Sequence, residues 1–401
     1  MTLRTSRRRG LALALGLAIA VSLTAAIAAA SAHGSPLAAG NAEATDTWSI
    51  VFVAGVGLAF ALYVAALGVF RSGYGPLVLV CTIAAAIQLI PLAGPLLLSR
   101  DTYSYWAYGR ILARQDRNPY TVAPARFPKD PSTGAVAPGW RETTSVYGPV
   151  FTLASAGVGD IAGPSAETAA LAFRLIAALA AIAATLLAAI VARRKAFAAA
   201  FVGWNPVVAL SFAGGGHNDV WMLVLMLGAL ALAASGRHAA AGVVWILAAA
   251  VKAPALILLP LYLIHARRAL WLAAAVAGCA LGAAATVIFG WPWLTASLQV
   301  GSHEARYGFP ARLEQLGAPE AAAHALADFV LAAGALWLAG QDRRGRPRLA
   351  LAACLLVLTS PWILPWYATW PIALAAVEED AVAQLLALGL AAYLLPDRIP
   401  F

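Results

Sequence analysis

Apolar runs of about 17–25 residues recur along this 401-residue chain, with few charges inside them. A helix of that length crosses the hydrocarbon core of a bilayer. Backbone groups in lipid must bond internally, so such runs become spanning helices rather than open strands or loops. The chain is 62% hydrophobic and only 11% charged, where a soluble domain carries roughly 25% charged residues. The fold class that follows is an all-α polytopic integral membrane protein, with about 10–13 transmembrane or re-entrant helices. The bilayer is therefore its first partner.

The formal net charge of +9 would suggest a nucleic-acid partner in a soluble protein. In a membrane protein it reports orientation, because Lys and Arg collect in cytoplasmic loops. No nucleic acid is expected. Cys81, Cys279 and Cys354 all fall inside apolar runs without CxxC or Cys/His spacing, so zinc, redox and disulfide frameworks have no support. The N-terminal stretch reads either as a signal peptide ending at Ala-Ser-Ala or as a first spanning helix over residues 11–31. The helix is the favoured reading, and both put the segment near Gly34 outside.

With the basic start inside, helices over 47–70 and 76–98 bring the chain back out at Ser99. A short Gly-rich segment over 147–163 reads as an interfacial or re-entrant helix. Spans over 166–192, 196–213 and 220–235 follow. The stretch 239–264 has basic flanks on both sides and enters and returns through a break at Pro254. Spans over 269–289, 321–340 and 349–364 complete the threading, and two short runs around "EED" (378–380) stay without an orientation. The expected division is an N-terminal helical part (1–98), an external catalytic loop with an interfacial helix (99–165) and a helical core with external loops (166–401). Fifteen basic residues then lie inside and nine outside, seven of them between 99 and 147. A basic external loop calls for an anionic ligand.

Four polar and aromatic clusters emerge on the same outer side: "SRDTYSYWAYGR" (99–110), "GGGHND" (214–219), the Trp/His/Arg/Tyr loop at 291–307 and "PWILPWYATW" (361–370). Convergence of this kind describes a site at the outer boundary. Asp101 stands where the third helix leaves the apolar region. It reads as a solvated interfacial charge or, beside Tyr103, Tyr105, Trp106 and Tyr108, as a functional carboxylate. In "GGGHND" the glycines permit close approach, while His217, Asn218 and Asp219 supply an acid/base, an amide and a carboxylate. A helix cap accounts for one of these polar residues and hardly for three. Lys252 is an ionisable group within a spanning stretch and a functional candidate by default; the bland reading is snorkelling. Arg174 is also embedded and either faces the site or pairs with a carboxylate. "RRGRPR" (343–348) reads as an inside-facing basic loop, "VEED" as a solvated turn, and His238 and His265 as structural.

The run "RDTYSYWAYGRILARQDRNPYTVAP…W…SVYGP" is similar to the first large external loop of bacterial polyprenol-phosphate-mannose-dependent mannosyltransferases. "GGGHNDVWMLVLML" and "PWILPWYATWP" resemble that group's later signatures. Within it, the chain resembles the α-1,6-mannosyltransferases that build lipomannan and lipoarabinomannan cores in actinobacteria. The match in order and spacing covers about residues 99–370.

The resemblance implies the GT-C glycosyltransferase fold in the plasma membrane. It implies a polyprenyl-phosphate-mannose donor, a mannan or lipoglycan acceptor and inverting transfer on the extracytoplasmic face. Asp101 occupies the position of the family's general base. Tyr103, Tyr105, Arg110, Asn118, Tyr120, Tyr147, His217, Asn218, Asp219, Trp366 and Tyr367 become candidate sugar contacts. Arg100 and Lys252 are candidates for the donor phosphate, with Arg110, Arg114 and Arg117 competing. Asp101 has no paired Asp-x-Asp neighbour, so no metal and no cofactor beyond the lipid-linked donor is expected. The alternative is a transporter or flippase of polyprenyl-linked sugars. That reading needs polar groups through the midplane and internal repeats, and only Lys252 and Arg174 are embedded.

Overall fold

The structure, a computed structural model, describes residues 2–37, 46–71, 75–264, 266–296, 307–342, 348–397 and 399–400. Ala and Leu dominate the apolar runs, and both favour helix over other backbone states. The described chain is accordingly helical.

Helices α1 (Thr2–Ser31) and α2 (Asp46–Phe70) pack against each other. Ile19, Leu23, Ala26 and Ala30 of α1 are buried in the same core as Phe52, Val56 and Tyr63 of α2. Helix α3 (Leu77–Leu89) and a 3-10 turn (Ile90–Ala93) replace the longer span expected over 76–98. Pro91, Gly94 and Pro95 end it early, because proline lacks the donor needed to continue.

The segment expected as a loop begins with a helix, α4 (Asp101–Ala113), whose Tyr105, Trp106 and Tyr108 are fully buried. After the short α5 (Pro131–Ala135), α6 (Pro149–Ala162) packs along α4. Gly148 enters α6 against the end of another helix. A Cβ there would stand 2.1 Å from Ala250 O, so only glycine fits.

Helix α7 (Ala166–Val191) is capped by Ser165 Oγ, which accepts from Thr168 N at 3.2 Å. The expected straight span over 196–213 is instead α8 (Lys195–Gly203), α9 (Pro206–Ala209) and a π-helical stretch (Leu210–Gly214), bent by 51°. The cause is Asn205-Pro206, where Asn205 Oδ1 caps Val207 N at 2.9 Å and restarts the helix.

Helix α10 (Asp219–Ala234) follows. The expected break in 239–264 is present: α11 (His238–Val251) stops at Lys252, and α12 (Pro254–Leu263) restarts with proline in its first turn. Then come α13 (Arg268–Phe289), α14 (Pro292–Thr295), α15 (Phe309–Gln315), α16 (Glu320–Asp342) and α17 (Leu349–Thr359). A 3-10 turn (Pro365–Ala368) leads into α18 (Thr369–Glu378) and α19 (Ala381–Leu394). The span expected over 349–364 thus stops at Thr359, before Pro361. Positions 297–306 of the aromatic loop, 343–347 of the basic loop and His265 lie outside the described residues.

Among the described residues, five helices are long and apolar enough to cross a membrane, and the bent pair makes a sixth. Seven further apolar helices have 10–17 residues. The outer members α13 and α16 leave most of their apolar length uncovered by the rest of the protein, as lipid-facing helices do. The core lies where α7, α8, α10, α17 and α18 meet, and α8 is buried from Ala196 to Gly203.

Helix α18 connects two polar regions. At its C-terminal end the "EED" triplet is a clamp rather than the expected solvated turn. Arg194 N and Nε donate to the Glu379 carboxylate at 2.7 and 3.1 Å, and Arg348 Nε donates to Asp380 at 2.6 Å. Ala350 N donates to Glu378 Oε2 at 3.0 Å, and Arg194 Nη1 donates to Arg71 O at 3.2 Å. Flanks expected on one face, Arg71, Arg193, Arg194 and Arg348, do come together. At the other end α18 begins with Thr369 and Trp370, beside the site described next.

Candidate active site

Asp101 opens α4, and its carboxylate sits where the helix dipole favours negative charge. The entry is tightly built. Leu98 takes a left-handed backbone (φ 63°), Leu97 N donates to Gly214 O at 3.0 Å, and Asp101 N donates to Ser99 Oγ at 3.1 Å. The Asp101 side chain is 27% exposed and faces a cavity of about 910 Å³. Its Oδ2 lies 3.4 Å from Nδ1 of His217, a residue that is 1% exposed and does not line the cavity. Among the described residues Nδ1 has no regular hydrogen-bond partner. The His217 ring stacks on Trp366, with centroids 3.6 Å apart and planes within 18°. Burial alone would raise the Asp101 pKa. His217, Ser99 and the Lys252 charge outweigh it, and the carboxyl titrates below its usual range. Asp101 is thus ionised at neutral pH, as a base must be.

The "GGGHND" turn can place His217 there because Gly216 adopts φ +69°. A Cβ at Gly216 would stand 2.5 Å from Thr102 Cγ2, so neither the conformation nor the space admits a larger residue. Asn218 and Asp219 are fully buried behind the wall. Asp219 Oδ1 accepts from Lys252 Nζ at 2.8 Å and from Trp370 Nε1 at 2.6 Å. Lys252 sits at the α11–α12 break, 15% exposed, with its ammonium 5.1 Å from the Tyr367 ring centroid. Tyr367 stacks in turn on Trp370 at 4.4 Å. Asn218 lies 3.4 Å from the same ammonium and 3.5 Å from the Tyr105 hydroxyl.

The expected site residues divide into three sets. Arg100, Asp101, Tyr103, Tyr147, Lys252, Trp366 and Tyr367 line the cavity. Tyr105, His217, Asn218 and Asp219 form the layer behind it. Arg110, Asn118 and Tyr120 are elsewhere. Arg110 is held by Asp130, with Nε to Oδ1 at 2.8 Å and Nη2 to Oδ2 at 3.0 Å, and it also donates to Gly163 O. Asn118 Nδ2 donates to Phe289 O, and Tyr120 packs on Phe289 at 5.0 Å while donating to Tyr147 O. These three fasten the segment after α4 to its neighbours. Arg114 pairs with Asp160 on the surface, and Arg117 is exposed.

The cavity also takes in Ser104, Glu167, Arg174, Trp362 and Trp370. Trp362 and Trp370 share the aromatic motif with Trp366, so a pattern of Trp and Tyr could have found them. Ser104 lies inside the 99–110 cluster but does not stand out beside its aromatic neighbours, and nothing in the sequence around Glu167 singles it out. Arg174 meets carbonyls rather than a carboxylate, donating from Nε to Ala213 O at 2.8 Å and from Nη2 to Pro91 O. Among the described residues no group of His, Cys, Asp and Glu is spaced to hold a metal ion.

A family model described as "Alpha-(1->6)-mannopyranosyltransferase, N-terminal domain" matches residues 7–268. The chain belongs to this family. The matched region holds Asp101, the "GGGHND" turn and Lys252, and stops short of the Trp366–Trp370 wall. Among curated relatives, "Alpha-(1->6)-mannopyranosyltransferase A" of Mycobacterium tuberculosis is 30% identical over 347 residues, covering 74% of this chain and 65% of that protein. The protein of the same name in Corynebacterium glutamicum is 29% identical over 183 residues, covering 45% and 37% respectively. The chain thus spans less than two thirds of the length of either relative. No solved structure matches it.

Proposed function

We propose that this chain is a membrane glycosyltransferase of the GT-C type. It transfers mannose from polyprenyl-phosphate-mannose to a mannan or lipoglycan acceptor, with inversion and in α-1,6 linkage, on the extracytoplasmic face of the plasma membrane. Family membership supports the mannosyl reading. The observation that carries the mechanism is Asp101, an ionised carboxylate at the cavity wall with buried His217 behind it at 3.4 Å.

In the proposed reaction an acceptor hydroxyl attacks C1 of mannose on the face opposite the phosphate. Its proton passes to Asp101 as the new C1–O bond forms. The old C1–O bond breaks, and its electron pair leaves with the polyprenyl phosphate. A positioned general base contributes about 10²–10⁴ in rate. The oxocarbenium-like transition state gains further from the nearby carboxylate. Tyr103, Tyr147, Trp366 and Tyr367 give the sugar rings faces to stack on. The reaction as proposed calls on no metal, because protein cations can meet the charge growing on the departing phosphate.

The test is mannosyl transfer in purified membranes from labelled polyprenyl-phosphate-mannose to a short α-mannoside. Wild type is compared with Asp101→Asn at matched expression. The expected result is an α-linked product from wild type and a loss of about two orders of magnitude or more in the variant. Equal transfer by both would move the base elsewhere. No transfer by wild type would sink the mannosyl donor.

A further inference from the structure

Among the described residues the cavity has three cations on its wall, and they differ in what already neutralises them. Lys252 is paired with Asp219 at 2.8 Å and covered by Tyr367 and Trp370. Arg100 is exposed at the helix entry. Arg174 is 5% exposed, reaches the cavity from the middle of the first half of α7, and pairs with no carboxylate among the described residues. Two backbone carbonyls take one N–H from Nε and one from Nη2, and the other N–H groups of the guanidinium have no acceptor among those residues. A buried cation without a counter-charge is costly, and an anionic ligand removes that cost. Planar Arg also suits phosphate recognition, since it can offer two parallel N–H groups.

Its position relative to the base is defined by Gly216. A Cβ built there would touch Thr102 on one side and the Arg174 Cγ, at 3.3 Å, on the other. Thr102 follows Asp101, and Gly216 precedes His217. The stem of Arg174 therefore packs one residue away from the Asp101–His217 pair. The carbonyl contacts hold the guanidinium at the 3-10 turn after α3 and the π-helical stretch.

We infer that Arg174 binds the phosphate of the lipid-linked donor and of the polyprenyl phosphate product. This rests on the proposed lipid-phosphate donor and assigns its anion to one side chain. On C1–O cleavage the phosphodiester becomes a monoester and gains negative charge, so Arg174 holds the product more tightly than the donor. Lys252, already paired, supports the wall and the Asp219 network instead.

The test measures binding of farnesyl phosphate and of farnesol to the full chain in detergent, read by quenching of the tryptophans at the cavity. Wild type is compared with Arg174→Met and Arg174→Lys, all shown to be monodisperse. Wild type should prefer farnesyl phosphate. Arg174→Met should weaken farnesyl phosphate by about tenfold or more, the scale of one charge-assisted phosphate contact, and leave farnesol unchanged. Arg174→Lys should recover part of the loss. The inference is overturned if wild type binds both ligands equally, if Arg174→Met weakens both alike as a structural defect would, or if it weakens neither. Should the methionine variant fail to fold, Arg174→Lys and Arg174→Gln carry the same comparison, with the glutamine variant losing the preference. A chain that binds farnesyl phosphate through Arg174 yet transfers no mannose would sink the mannosyl reading alone. A chain that transfers mannose while its Arg174 variants keep the phosphate preference would sink this inference alone.

Discussion

Lys252 Nζ sits 2.8 Å from Asp219 Oδ1, with the Asp219 side chain fully buried and the Lys252 side chain only 15% exposed. The pair joins the α11–α12 break to the start of α10 and also holds Trp370 Nε1. Removing one partner strands the other charge, which costs about 3–5 kcal/mol in buried pairs. Lys252→Met and Asp219→Leu should each lower thermal stability in detergent sharply. The double variant should lose less than the sum, because neither charge is then stranded. Additive losses in a double-mutant cycle would show the pair to be uncoupled.

His217 lowers the Asp101 pKa by direct contact. The rate should hold through neutral pH and fall only as pH drops through a value below the usual carboxylate range. His217→Phe keeps a ring over Trp366 and removes Nδ1. Its acid limb should move to higher pH, because a contact favouring the ionised form is lost while the burial that raises the pKa remains. Rate–pH profiles of both proteins decide this, and coincident acid limbs would remove His217 from behind the base.

Gly216→Ala puts a side chain at φ +69°, where its Cβ meets Thr102 at 2.5 Å. Backbone strain of this kind costs roughly 1–3 kcal/mol, and the steric overlap adds to it. The variant should melt lower than wild type and transfer more slowly, since Thr102 follows Asp101. Unchanged melting would mean that the turn relaxes freely.

Arg110 lies outside the cavity, bidentate to Asp130. Burial would raise the Asp130 pKa, but Arg110 and Ser132 prevail and lower it. Arg110→Ala should leave the donor KM near wild type while making the segment after α4 more susceptible to limited proteolysis. Arg110→Lys should not restore protection, as a lysine cannot span both carboxylate oxygens. A large rise in KM with unchanged proteolysis would place Arg110 at the sugar after all.

The Asp130 pair also sets a pH dependence. Its folded pKa is depressed, so the stabilisation is present above the unfolded carboxylate pKa and is lost as pH falls through the lower folded value. Proteolytic protection of the segment in wild type should therefore persist at mildly acidic pH and fade only below the usual Asp range. Loss of protection already near neutral pH would contradict the assignment.

Sequence alone determined the helical membrane class, the break at Pro254 and the position of Asp101 at a helix boundary. Each follows from local chemistry: apolar length, a missing donor in proline, a charge ending an apolar run. It also brought the aromatic and polar clusters to one end, because basic flanks constrain how a chain threads a bilayer.

Only the tertiary structure decided which side of the cavity wall each residue occupies. Asp101, Trp366 and Lys252 face the cavity, while His217, Asn218 and Asp219 stand behind it, although all looked like contacts in the sequence. Arg110 lies outside the cavity and Arg174 on its wall for a related reason. A nearby Asp130 neutralises Arg110, whereas among the described residues Arg174 meets only carbonyls. Residue type and spacing say what a side chain can bind. What it does bind depends on partners brought close from distant positions, as with Asp130 twenty residues on and Asp219 paired with Lys252 at the α11–α12 break, and no local pattern encodes those pairings.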